Sequence, residues 1–305
     1  MNSNVIFIII ASVMFGSAPT VQAFALEDGV SALALVAICN FTALPAACLI
    51  LAYEGRLSAL RLTRRGRIQM FLVGAALFFT DFLLDVSYRL IPVGYVTMIH
   101  FFYPSVVCIA LAVSFHERLN IRKISAMILS AAGLFLLAGK GFSGNPLGIV
   151  TSLTTAIAYS FYVIGSDKLE VGRLPVSVRV FYANLVAVGL ALFIGGLEGL
   201  FVPSGQRALG GLVFPSSMRT LLIALGAGGI QLIGFFCMNL GITLVGAGQA
   251  AFWNMLEPLT SLMLSALVFR YFVSTNAAIG CALILCAVFF AGWESAGGAN
   301  RKNKM

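Results

Sequence analysis

Two groups of polar residues lie inside otherwise apolar stretches of this chain. The first is Asp81, Asp85, Tyr88 and Arg89, whose spacing of i, i+4, i+7 and i+8 puts all four on one helical stripe. The second is Gln249, Trp253, Glu257, Thr260 and Ser261, with Asn254 alongside. A carboxyl in apolar surroundings is expensive to ionise alone, so it belongs to an ion pair, receives a cation or amine, or carries a proton. Asp85 has Arg89 one turn on, and the pair is expected to be a structural clamp. Asp81 has no local cation and is expected to face a ligand or carry a proton. Glu257 precedes Pro258; it either satisfies backbone that the proline leaves open or meets a ligand amine or a proton. His100 reads either as hydrogen-bonded structure or as a coupling site. Tyr103, Tyr159 and Asn239 add aromatic and amide character. The expected substrate site is therefore Asp81, His100, Tyr103, Tyr159, Asn239, Trp253, Asn254 and Glu257.

Catalytic and metal chemistry have little to work with. The chain has two histidines, and its six cysteines fall in apolar runs without a Cys-x-x-Cys pair. No enzyme activity, metal or cofactor is expected. Gly226-Ala227-Gly228-Gly229 lacks the following Lys-Ser/Thr of a phosphate loop and reads as close helix packing.

The elements that must hold these residues are set by composition. Of 305 residues 60% are hydrophobic and 10% charged, which cannot cover the surface of a soluble protein of this size. The chain is expected to be an all-α integral membrane protein. Apolar runs of about 20 residues, the length a bilayer requires, fall near 4–24, 31–52, 68–90, 93–115, 121–139, 147–167, 176–197, 219–242, 245–269 and 275–293. Ala23-Phe24-Ala25 resembles a signal cleavage site, but Met1 to Asn4 carries no Lys or Arg, so the first run is expected to stay as a span.

The net charge of +8 is spread in short clusters between spans, such as Arg56 to Arg67 and Arg118 to Lys123, which argues against nucleic acid as a partner. With the N-terminus inside, fourteen of the 19 basic residues fall on the cytoplasmic side, Lys168, Arg173 and Arg179 among them. That imbalance predicts both termini in the cytoplasm of a multi-pass protein, with a bacterial inner membrane as the expected location.

A shift of 154 positions aligns spans three to five with spans eight to ten without a gap. Gly74 meets Gly228, Gly94 meets Gly248, Pro104 meets Pro258 and Phe115 meets Phe269. Five spans per copy is an odd number, so the second copy enters the membrane from the other face, as in inverted-repeat secondary transporters. The expected units are 1–140, an inverted copy at 146–296, and a short basic tail at 297–305.

Phe15-Gly16-Ser17 in span one, Tyr103-Pro104-Ser105 in span four, His116-Glu117-Arg118 closing it, and Leu256-Glu257-Pro258 in span nine together resemble the EamA-type permeases of the drug/metabolite transporter superfamily. Tyr271 stands where that pattern has an acidic residue, and span one lacks its usual tryptophan before Gly16. The resemblance implies that spans one, three, four, six, eight and nine surround a cavity, with five and ten peripheral. It implies a secondary transporter working by alternating access; its motifs name no ligand, and the aromatic, amide and carboxyl side chains in the spans lead to the expectation that it exports a small polar or zwitterionic metabolite such as an amino acid. A lipid-linked substrate carrier or flippase on the same fold is the alternative. Sodium ions and protons are both open as the coupling ion, with the carboxyls leaning towards protons; the lipid bilayer is the surrounding partner, and the protein is expected to be a monomer or weak dimer.

Overall fold

The computed structural model describes residues 3–91, 96, 99–117, 119–138, 145–203, 209–269 and 275–302, and every regular element among them is helical. In lipid each backbone N–H and C=O must find a partner within its own segment, which leaves helices as the solution for a chain this apolar. Six described helices are long and apolar enough to cross a membrane, and Tyr103–Phe115 and Ala278–Val288 are shorter apolar helices. The helical segments fit the ten expected spans. Polar caps start several of them: Ser31 before span two, Thr63 before span three, Asn145 before span six and Ser217 before span eight each accept a backbone N–H.

Spans four and nine depart from the continuous helices expected. In span nine the helix Ala247–Trp253 stops, Asn254 and Met255 turn, and Leu256–Phe269 resumes. In span four His100 is helical, Phe101 and Phe102 turn, and Tyr103–Phe115 follows; most of residues 92–98, the start of this span, lie outside the described residues. The cause is the same in both. A proline lacks an N–H and its ring clashes with the carbonyl four residues back, and four back from Pro104 and Pro258 lie His100 and Asn254. The two prolines stand 154 positions apart, the spacing of the sequence alignment, and the turns they follow are in register with it to within one residue.

Helix packing comes in matched sets. Span one lies on spans eight and nine, and span six lies on spans three and four. Span two meets eight, span seven meets three, and span five pairs with ten. Small residues allow the closest approaches. A Cβ on Gly74 would meet Ala183 and Val186 of span seven, and one on Gly228 would meet Cys39 and Thr42 of span two. Between the peripheral spans, a Cβ on Gly133 would come within 2.7 Å of the Gly280 carbonyl.

Gly16 marks the tightest crossing near the site: a Cβ there would stand 2.6 Å from the Glu257 carbonyl oxygen and 2.8 Å from Thr260 Cβ. Backbone cannot give way as a flexible side chain can. Gly16→Val is therefore expected to push spans one and nine apart and cost about 1–3 kcal/mol, read as a lower thermal unfolding midpoint in detergent. An unchanged midpoint would show that the crossing is slack.

Candidate functional site

The crossing of spans one and nine sits beside a cavity of about 110 Å³. Its walls are Phe15, Pro19 and Gln22 of span one, Asn40 of span two, Thr80, Asp81 and Asp85 of span three, His100 and Phe101 of span four, Tyr159 of span six, Gln231 and Phe235 of span eight, and Glu257 of span nine. The helix breaks account for much of this. Glu257 occupies the first turn of the resumed helix Leu256–Phe269, where the free N–H groups of a helix start favour an acidic side chain. The stripe expected along span nine is accordingly cut between Trp253 and Glu257.

Two of the cavity carboxyls, those of Asp81 and Glu257, are each oriented by an asparagine. Asn254 Nδ2 donates to Glu257 Oε2 at 2.9 Å, while its Oδ1 accepts from Ser12 Oγ at 3.1 Å. Asn40 Nδ2 donates to Asp81 Oδ2 at 3.3 Å and to the Val36 carbonyl at 2.9 Å. Both partners are acceptors, so the orientation of the Asn40 amide is fixed, and its Oδ1 is buried without a hydrogen bond among the described residues. Span four supplies His100, whose Nδ1 lies 2.9 Å from Thr155 Oγ1. That hydroxyl already donates to the Ser152 carbonyl at 2.7 Å, so it accepts from His100 and fixes the Nδ1–H form, leaving Nε2 as an acceptor.

Four of the residues expected in the site line the cavity: Asp81, His100, Tyr159 and Glu257. The other four, Tyr103, Asn239, Trp253 and Asn254, are not among its lining residues. Tyr103 is fully buried, packs edge-on against Tyr159 with ring centroids 4.7 Å apart, and donates to the Ala251 carbonyl at 3.3 Å. Asn254 acts through Glu257. Asn239 donates to the Tyr162 hydroxyl at 2.7 Å and to the carbonyl of the wall residue Phe235 at 3.0 Å. Trp253 packs against the main core, and its Nε1 has no hydrogen bond among the described residues. Asp85 does reach the cavity, but the side chain of its expected partner Arg89 lies outside the described residues, as does that of Tyr88. Sequence reasoning missed Asn40, Gln22 and Phe15. Asn40 was visible as a lone amide within an apolar run, but nothing in the sequence ties it to Asp81.

The end of the bundle away from Asp85 is closed by polar contacts. Arg65, at the start of span three, pairs with Glu170 at 2.8 Å, which places the end of span six at that side. There Lys168 pairs with Glu117 at 2.9 Å and with Asp167 at 3.3 Å, and Asp167 accepts the Ala247 N–H at the start of span nine. Arg179, counted among the basic residues of the cytoplasmic side, is 2% exposed. It lies one turn inside span seven, donating to the Ser166 carbonyl at 2.6 Å, to the Asn239 carbonyl at 3.1 Å and to Thr243 Oγ1. One guanidinium thereby joins spans six, seven and eight.

A bundle of apolar helices, two of them broken beside a carboxyl-lined cavity, defines a multi-pass membrane transporter. The model of the EamA-like transporter family matches residues 2–139 and again 146–293, and the chain belongs to that family, within the drug/metabolite transporter superfamily. Among curated proteins it is similar to UDP-galactose transporter 1 of Arabidopsis thaliana, 25% identical over 215 residues that make up 68% of this chain and 61% of that protein. The chain thus matches about three fifths of the relative's length. A crystal structure with 20% sequence identity shares the fold, with a TM-score of 0.76 over 95% of this chain and 97% of the other.

Proposed function

We propose that this protein is a secondary active transporter that exports a small polar or zwitterionic metabolite by alternating access. The observation that carries the reading is the pair of helix breaks at Phe101–Phe102 and Asn254–Met255, both beside a cavity that holds Asp81 and Glu257. Broken helices expose backbone dipoles where a polar solute can be held at membrane depth. The two halves act as inverted five-span repeats, 1–140 and 146–296, with 297–305 as a basic tail. Support comes from the double match to one family model and from packing pairs that interchange when each span is exchanged for the one five places along. Gly74 and Gly228 strengthen it, since their neighbours Ala183 and Cys39, and Val186 and Thr42, are each 144 positions apart.

With both termini in the cytoplasm of a bacterial inner membrane, the cavity faces the outside, and the contacts of Lys168 and Arg179 close the cytoplasmic end. The exposed basic residues between spans support that orientation. Protons are the coupling ion of this reading, exchanged at the cavity carboxyls, and the working unit is a monomer or weak dimer. The test combines two measurements. Tags on the first and last residues are expected to be digested from the same, cytoplasmic side, and proteoliposomes loaded with a solute are expected to show counterflow in a panel of amines, amino acids and nucleobases. Tags on opposite faces end the inverted-repeat reading, and the absence of counterflow across the panel ends the solute reading.

A second reading, a lipid-linked carrier, is favoured by one feature. An apolar crevice of about 290 Å³, lined by Ile99, Phe102, Ala131, Leu134, Phe135 and Leu153, lies beside the break in span four. Movement of labelled lipid head groups in the same vesicles distinguishes it from solute export.

A further inference from the structure

We propose that the cavity selects a small organic cation, an ammonium or guanidinium compound without a carboxylate or phosphate, which narrows the solute of the transporter reading on which it rests. Three observations lead there. First, the described cavity walls carry the carboxyls of Asp81, Asp85 and Glu257 and no lysine or arginine. Second, the groups around the carboxyls spend donors inside the protein rather than offering them to a ligand. The Asn40 amide spends its N–H groups on Asp81 and Val36, keeping a buried Oδ1 without a partner, and the Asn254 amide N–H is turned to Glu257. His100 likewise commits Nδ1 to Thr155, leaving Nε2 to accept. Third, the apolar walls include the rings of Phe15, Phe101 and Tyr159, whose faces attract cations.

A carboxylate or phosphate on the ligand would face the carboxyls of Asp81, Asp85 and Glu257 across a water-poor space, where like charges repel strongly. Size points the same way, because about 110 Å³ falls below the roughly 300–1,000 Å³ of pockets for drug-sized ligands. A nucleoside diphosphate sugar, named for the Arabidopsis relative, is both too large and of the wrong charge for this cavity.

The test is calorimetric binding to the purified full chain with matched probes: tyramine against tyrosine, agmatine against arginine, and UDP-galactose. Each amine is expected to bind about tenfold or more tightly than its carboxylate-bearing partner, a gap on the scale of one desolvated charge contact, and UDP-galactose is expected not to bind. Glu257→Gln and Asp81→Asn, which preserve shape, are each expected to weaken amine binding about tenfold and to shrink the gap within each pair. Tighter binding of the amino acids, binding of UDP-galactose, or no binding of either amine at millimolar concentration overturns the proposal. A variant that loses its wild-type unfolding profile is replaced by Asp81→Glu, which keeps the charge and is expected to keep the preference for amines. Counterflow of amino acids without a preference for amines would sink this inference and leave the transporter standing. Amine binding without any counterflow would do the reverse.

Discussion

Glu257→Gln is expected to lower transport in proteoliposomes by about 30-fold or more, with Asp81→Asn close behind, while both variants fold normally. The geometry explains why folding survives. Glutamine keeps an oxygen that can accept the Asn254 N–H at the position of Glu257 Oε2, 2.9 Å away in the parent, and the break in span nine is set by Pro258, which is untouched. What disappears is the charge at the head of the resumed helix. Removing one member of a buried charge contact commonly costs 2–5 kcal/mol, which sets the scale of the loss. Asn at position 81 similarly retains an acceptor for Asn40. Initial rates in vesicles, alongside unfolding midpoints in detergent, separate the two effects. Normal rates in both variants would reduce the carboxyls to scaffolding.

Arg179→Leu is expected to destabilise the protein by about 3 kcal/mol. The guanidinium is the shared donor for the carbonyls of Ser166 and Asn239 and for Thr243. Leucine fills part of the space and leaves these acceptors without it, at roughly 1–3 kcal/mol for each one that finds no substitute. Arg179→Lys is expected to fall between, because an ammonium delivers charge but not the planar fork that spans two carbonyls. The order Arg, Lys, Leu in unfolding midpoint is the signature. Equal midpoints for all three would make the contact a bystander.

The span count was legible because hydrophobic runs long enough to cross a bilayer leave few alternatives, and the glycine and proline register identified spans three to five and eight to ten as related. The helix breaks were half legible. Pro104 and Pro258 were aligned from the start, yet a proline in a membrane helix can be absorbed by neighbours, and only the backbone reveals that one helix segment ends at His100 and another at Trp253. Asp81 and Glu257 stood out because carboxyls in apolar runs are rare. Tyr103 and Trp253 shared their helical stripes but turn behind the cavity, since a stripe fixes direction relative to one axis and not relative to five neighbouring helices. Arg179 was only counted as a cytoplasmic-side charge, and counting cannot reveal that carbonyls from spans six and eight converge on it.

Trp253 is the last residue of its helix before the turn at Asn254, and the chain has two tryptophans. With Trp293→Phe, the remaining indole becomes a built-in optical gauge of the break. A swing of the segment carrying Glu257 alters the medium around that ring, so its emission colour follows the working cycle in real time without any attached dye.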